Sequence, residues 1–384
     1  MRIVFFTDYY YPDLSGLTIM VDKFKKELEK RGNKVLLVAP AYTNYKENDD
    51  SILRYFFIIN SIFEIKLPRT FCLPLKLEKE LRDFKPEIIH VHTHQDASKL
   101  ALFYSKKLNI PIIYTYHGKK FVIRKKSISL IEEKFVKNFY NKFDSLTSPT
   151  SILKEYLESI GVKKKIFIVP NGIKFNKINF KRRTSLRKKN NIKENEKTIL
   201  YLGRLVKEKN IDFLLDVFKE ITKVRDDLKF FVIGDGSYKY QLERKTKKYG
   251  LEDKIIFTGE VSHEKVYDYY TMSDVFLFSS LFESVDAMPL VLLESMFSGL
   301  PIVAIKAPGA QDVIKNEYNG FLANDINDFS EKLLKLMDDK KLRIKMSQNA
   351  KKESKKYSIE KSTDKLIKVY KEVIKDYHSK NIST

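Results

Sequence analysis

Arg204 and Lys209 stand five positions apart in Gly203-Arg204-Leu205-Val206-Lys207-Glu208-Lys209-Asn210, directly after the apolar run 198–202. A guanidinium fork fits phosphate oxygens and a lysine adds a second point charge, so two cations leaving one strand end suit a diphosphate. In so basic a chain, an ordinary solvated loop is the plainer alternative. Further on, Phe231-Val232-Ile233-Gly234-Asp235-Gly236 reads as a strand followed by a G-x-G turn. No third glycine opens a helix, so a simple strand-to-helix turn describes it better than a dinucleotide fingerprint.

The segment Glu283-Ser284-Val285-Asp286-Ala287-Met288-Pro289-Leu290-Val291-Leu292-Leu293-Glu294 carries acids on both sides of a helix start. Pro289 suits the first helical turn, which puts Asp286 before the helix and Glu294 within it. The free amides of a helix N-terminus attract anions. The backbone at Met288, Pro289 and Leu290 would then face phosphate or sugar oxygens, with Asp286 on sugar hydroxyls and Glu294 on a ribose. A helix cap followed by a solvated glutamate is the alternative. His90, His92 and His94 alternate along one predicted strand and so share a face, a spacing that a metal could use. Neither a metal nor a cofactor is expected.

These residues need elements to hold them. Short apolar runs at 2–7, 35–39, 87–92, 112–117, 145–148 and 166–169 recur in the first half, and at 198–202, 229–233, 255–258, 275–279 and 301–305 in the second. Each is followed by a turn and a helical pattern, the signature of βαβ units and buried parallel sheets. The fold class is therefore α/β with two doubly wound domains, and 384 residues are enough for two cores. The polar, basic stretch 174–197 shows no strand and no apolar period, which places a boundary near residue 176: domains at 1–176 and 177–358. The last segment, 359–384, has Leu366, Val369, Tyr370 and Val373 at helical spacing and would return to the first domain. Open α/β sheets bind ligands beyond the carboxyl ends of their strands, so the expected site lies in the cleft between the domains.

Composition narrows the class. The single cysteine, Cys72, excludes a disulfide framework within the chain and fits a reducing compartment. The N-terminal run lacks the pattern of a signal peptide, and no apolar stretch reaches the roughly 20 residues of a spanning helix. Net charge is +22, and residues 1–190 hold 38 Lys and Arg against 19 Asp and Glu. A positive field on one domain should meet a polyanion, either a nucleic acid or an anionic bilayer. Lys119, Lys120, Arg124, Lys125 and Lys126 precede the stretch 127–143, where Ile128, Ile131, Phe135, Phe139 and Phe143 recur at helical spacing. A basic amphipathic helix of this kind can lie among lipid headgroups; an ordinary core-facing helix has the same pattern.

In order and spacing, G-R-x-x-x-E-K, G-x-G and the acid-x7-acid segment resemble the retaining GT-B glycosyltransferases of glycosyl transferase group 1, family 4. The resemblance spans nearly the whole chain and includes Pro12-x-x-x-Gly16, Ile89-His90-Val91-His92, Thr115-Tyr116-His117 and Val169-Pro170-Asn171-Gly172. The opening 5–12 and the stretch 84–92 look most like bacterial 1,2-diacylglycerol 3-glycosyltransferases. This resemblance implies two Rossmann-like domains and a UDP-sugar donor. Gly16 would let the backbone approach the diphosphate, Arg204 and Lys209 would hold it, His117 would sit near the sugar, and Glu294 would bind the ribose. One departure concerns the first acid, usually glutamate and here Asp286. Another is Pro289, which offers no amide. Both leave the sugar open.

The expectation is transfer of a hexose from UDP-glucose or UDP-galactose to diacylglycerol, with retention, by a cytoplasmic enzyme held peripherally on anionic lipids of the inner membrane face and binding no nucleic acid. A sugar, sugar phosphate, lipopolysaccharide precursor or sterol acceptor is the first alternative. A nucleic-acid-binding protein on an inactive transferase scaffold is the second.

Overall fold

The computed structural model describes residues 1–13, 15–42, 45–55, 74–118, 129–175, 182–280 and 287–382. They form two compact units, Met1–Gly172 with Ile359–Thr384, and Ile173–Ser358.

The first unit is built on seven strands: β1 (Arg2–Phe6), β2 (Lys34–Pro40), β3 (Ile52–Tyr55), β4 (Ile88–Val91), β5 (Ile112–Thr115), β6 (Ser145–Ser148) and β7 (Lys165–Ile168). They pair in the order β3-β2-β1-β4-β5-β6-β7, all parallel. In β1, Ile3, Val4, Phe5 and Phe6 are wholly buried on both faces, which is why the strand reads as an unbroken apolar run rather than an alternating one. Strand order reverses between β1 and β4, so the loops leaving those two strands diverge and open a crevice at their carboxyl ends.

Helix Ile359–Ile382 belongs to this unit. Leu366, Val369, Tyr370 and Val373 are all buried. Arg31 pairs with Asp364 and donates to the Glu360 carbonyl at 2.9 Å, and the Tyr377 hydroxyl donates to Asn109 Oδ1 at 2.8 Å. At its start the helix crosses Gly172, where a Cβ would lie 2.6 Å from the Ile359 Cα. Only glycine admits that crossing, which gives the Val169-Pro170-Asn171-Gly172 stretch a packing reason.

The second unit carries β8 (Lys197–Leu202), β9 (Leu228–Ile233), β10 (Ile255–Gly259), β11 (Val275–Phe278), β12 (Ile302–Ile305) and β13 (Gly320–Ala323). The order is β10-β9-β8-β11-β12-β13, again parallel, with the switch between β8 and β11. Apolar side chains pack on both faces, around Phe218 and Leu333 on one and Tyr270 and Leu292 on the other.

Two sequence expectations change here. The stretch 174–197 does contain ordered structure: helix Arg183–Lys189 buries Leu186. Its arginines are internal fasteners. Arg183 donates to the carbonyls of Thr271 and Ser273 at 2.7 and 2.6 Å and to Asp274 at 2.8 Å. Arg187 donates to the Glu196 carbonyl at 2.6 Å. Both cations thus sit at the carboxyl end of helix His263–Met272, where unpaired carbonyls and the helix dipole favour positive charge. Second, the described end of the supposed membrane helix faces inward. In helix Ser129–Tyr140, Val136 and Tyr140 are buried, as is Phe143 beyond it. Phe139 packs edge-on against Tyr114 and Phe143, with centroids 5.9 and 5.4 Å apart.

Candidate functional site

In the second unit the loops after two neighbouring strands meet. Strand β8 ends at Leu202 and β11 at Phe278, the neighbouring pair where strand order reverses. The loop after β8 carries Arg204, exposed, and Lys209, half-buried at the end of a 3-10 turn Lys207–Lys209. The loop after β11 begins with Ser279, whose hydroxyl donates to the Lys209 carbonyl at 2.8 Å. Residues 279–280 are buried, and the chain continues to helix Leu290–Phe297.

The G-x-G turn shapes this site by packing. A Cβ on Gly234, whose φ is +132°, would lie 2.0 Å from the Gly203 carbonyl oxygen, and one on Gly236 would lie 2.4 Å from the Leu205 carbonyl oxygen. Absence of both side chains lets the loop after β9 lie directly on the loop that presents Arg204. Hydrogen bonds from the amides of Leu205 to Asp235 O at 2.9 Å and of Tyr238 to Leu205 O at 2.8 Å fasten the two together. The turn is therefore a backbone support for the cationic loop, the plain strand-to-helix reading rather than a dinucleotide cradle.

Pro289 is the residue before the helix, with ψ 123°, and not its first helical residue. Its own carbonyl accepts from the Leu292 amide at 3.1 Å, and no side chain among the described residues caps the first turn. An uncapped start with Leu290 and Val291 only half-buried keeps amide donors available to an anion. Met288 and Pro289 are buried beneath it. Glu294 is 5% exposed, which removes the solvated-glutamate alternative. The Tyr270 hydroxyl donates to Glu294 Oε2 at 3.4 Å, and burial beside that carboxylate holds the Tyr270 phenol well above its ordinary range. Asp286 and Glu283 lie outside the described residues.

In the first unit, Gly16 opens helix Gly16–Lys30, whose N-cap Ser15 accepts from the Thr18 amide at 3.2 Å. A Cβ built on Gly16 meets no atom within 4 Å. Asp8, at the end of β1, spends its carboxylate on the amides of Gln95 and Ala97 at 3.1 and 2.9 Å, capping helix Asp96–Leu108. His117 follows β5 and is half-buried; its Nε2 lies 3.3 Å from His92 Nδ1.

The histidines do not form the one-faced strand row expected from spacing. Only His90 lies within β4; His92 directly follows it, and His94 sits in the loop beyond. His90 uses both ring nitrogens, toward Tyr370 Oη at 2.6 Å and Thr115 Oγ1 at 2.5 Å, so it has no lone pair to offer a metal. Burial pushes the His90 and His92 imidazoles well below their usual range, each reinforced by neighbouring histidines, and both are neutral. Lys119, Lys120, Arg124, Lys125 and Lys126 lie outside the described residues.

One cationic surface escaped the sequence reading. Helix Lys340–Ser354 exposes Lys341, Ile344, Lys345, Gln348 and Lys352, and Lys355 follows. At about 100° per residue, these positions fall on one stripe. Counting charge over half the chain hid it, because the acids of the second unit lie elsewhere; the 4-7-3 lysine spacing was the available signal. No helix among the described residues is long and apolar enough to cross a membrane.

Known proteins match this arrangement. The family models described as Glycosyltransferase Family 4 and Glycosyl transferases group 1 match residues 14–177 and 182–353. An alpha-monoglucosyldiacylglycerol synthase of Streptococcus pneumoniae is 29% identical over 355 residues, covering 88% of this chain and 78% of its own. A synthase of the same name from Acholeplasma laidlawii is 26% identical over 381 residues, covering 94% of both. The crystal structure of Anabaena HepE in complex with UDP superposes with a TM-score of 0.81 at 17% identity, covering 97% of this chain and 100% of that one.

Proposed function

We propose that this chain, which belongs to the glycosyl transferases group 1 family and is a glycosyltransferase of GT-B fold, transfers glucose from UDP-glucose to diacylglycerol with retention of configuration. The observation that carries the donor half is the contact between the loops after β8 and β11, Ser279 Oγ on the Lys209 carbonyl, at the switch point from which the chain leads on to helix Leu290–Phe297. Arg204 and Lys209 hold the diphosphate, the amides at Leu290 and Val291 add their partial positive charge, and Glu294 takes the ribose hydroxyls. Asp286 and the backbone at Met288 and Pro289 face the sugar. In the first unit, Gly16 gives the diphosphate room and His117 sits on the sugar side.

Chemistry follows from charge. The bond between the anomeric carbon and the UDP oxygen breaks, the acceptor hydroxyl oxygen bonds the same face of that carbon, and its proton passes to the departing phosphate. The protein contributes position and stabilisation of the leaving diphosphate, with no metal and no cofactor invoked. Glucose and diacylglycerol are supported over UDP-galactose and other acceptors by two relatives whose names carry both.

The enzyme works at an anionic membrane surface, its polyanion being a bilayer and not nucleic acid. Lys341, Lys345, Lys352 and Lys355, exposed on one stripe beside Ile344, support that location, and each lysine close to such a surface adds to binding. The test is transfer of label from UDP-glucose and UDP-galactose, separately, to diacylglycerol in vesicles with and without phosphatidylglycerol. Label in the lipid fraction from UDP-glucose is the expected result. UDP binding without lipid label moves the acceptor to a soluble molecule, and no UDP binding ends the reading.

A further inference from the structure

His92 is 2% exposed, directly after β4, and is wedged between other rings. Its centroid lies 4.0 Å from that of His90 and 4.8 Å from that of Phe5, the latter edge-on. Its Nδ1 faces His117 Nε2 at 3.3 Å, with ring centroids 5.6 Å apart and the two ring planes 29° from parallel. The other nitrogen, Nε2, is buried with no hydrogen-bond partner among the described residues. A histidine kept in such a place at the end of a core strand, with one nitrogen unsatisfied, calls for a use of the other.

One proton is shared between Nδ1 of His92 and Nε2 of His117, and burial decides where it sits. If His117 donated, a neutral His92 would carry its hydrogen on Nε2, a buried N–H with no acceptor. If His92 donates, Nε2 is left only as an unused lone pair. Buried orphan donors are rarer than under-used acceptors, so the second arrangement is favoured. His117 then accepts at Nε2 and keeps its own proton on Nδ1. His90 cannot take the role, since both of its nitrogens are committed to Tyr370 and Thr115.

We infer that His92 is a positioning residue for the transfer reaction: its Nδ1–H fixes both the ring orientation and the Nδ1-protonated tautomer of His117. This rests on the reading that His117 lies on the sugar side. It assigns His92 no contact with substrate; the effect passes through His117, as a ligand's orientation is set by the partner of its far nitrogen.

The experiment compares His92→Asn, His92→Gln and His92→Ala in the full chain. An asparagine amide places its N–H close to the Nδ1 position, whereas a glutamine amide reaches toward Nε2. His92→Asn should hold kcat/KM for the donor within about threefold, while His92→Gln and His92→Ala lose about 10- to 100-fold, the usual cost of a misplaced reacting group. Equal losses in Asn and Gln would make His92 a packing residue only and overturn the inference, as would unchanged rates in all three. Imidazole 15N shifts of the wild type give a second reading that does not depend on variants folding. His117 protonated on Nδ1 is expected, and protonation on Nε2 overturns the inference. Should the wild type transfer no sugar, the functional reading fails while the 15N measurement still decides the tautomer.

Discussion

Gly16→Ala separates a glycine kept for a ligand from one kept for the fold. The residue opens helix Gly16–Lys30, is exposed, and has no atom within 4 Å of a built Cβ. Its φ is not in the left-handed region, where among the described residues five non-glycine and eight glycine positions lie. By folding physics alone, alanine should be tolerated and even favoured. It restricts the unfolded chain and improves helix propensity, an effect of about 0.4–1 kcal/mol at a compatible site. For a unit of this size, that corresponds to about 1–4 °C in Tm. A diphosphate resting on the backbone at this turn meets the new methyl instead and is pushed off by roughly 1 Å, enough for about a 100-fold loss in turnover. The assay pairs thermal denaturation with steady-state transfer at varied UDP-glucose. Expected is a Tm equal to or above the wild type, with kcat/KM for the donor down at least tenfold. A fall in Tm would show a structural constraint absent from this geometry, and unchanged kinetics would remove Gly16 from the donor site.

Other perturbations address the remaining parts. Lys209→Ala should lower kcat by about 100-fold, in the range for removing one charge from a developing oxyanion; rates within threefold of wild type in a steady-state assay would end the clamp. Gly234→Ala must move the Gly203 carbonyl, 2.0 Å from the new Cβ at φ +132°, and should destabilise the second unit by about 3 kcal/mol or more. Chemical denaturation reads this directly, and an unchanged midpoint contradicts the packing argument. Replacing Lys341, Lys345, Lys352 and Lys355 together by glutamine should weaken sedimentation with phosphatidylglycerol vesicles at least tenfold while sparing UDP affinity. The same number of exposed lysines replaced elsewhere on the unit, at Lys223, Lys247, Lys248 and Lys265, should have the smaller effect; equal effects would reduce the stripe to net charge.

The buried central strands and the cationic loop were legible because their signals are local. β1, β4, β8 and β11 are short apolar runs, and Arg204 to Lys209 is a contiguous segment. Of the four edge strands, β7 and β10 were read from their apolar runs and β3 and β13 were not. β3 is four residues long, includes Arg54 and is only partly buried, and β13 begins with a glycine, so neither shows a strong apolar run or a full alternation. Glu294 could be placed on a helix by spacing, but its burial depends on Tyr270, 24 residues away in sequence. Gly234 and Gly236 read correctly as a strand-to-helix turn; what the turn packs against emerges only when the loop after β8 comes within contact. The pairing of His92 with His117 is likewise a matter of two neighbouring strand ends, β4 and β5, and no period along the chain encodes it.

Basic residues show why a net charge is a poor guide to a binding surface. Arg183 and Arg187 contribute to the strongly positive first half of the sequence, yet their guanidinium groups are consumed by carbonyls and Asp274 inside the second unit. Arg31 is spent on Glu27 and on the C-terminal helix at Asp364 and Glu360. Lys356 and Lys315 share the buried Glu353, whose carboxyl they hold below its ordinary range against the opposing effect of burial. A cation already paired in this way gives little field to a partner, because its desolvation and hydrogen bonding have been met internally. Lysines on the outer stripe of helix Lys340–Ser354 are exposed. Their exposed charge is the part of the excess that an anionic surface would feel within a screening length of about 10 Å.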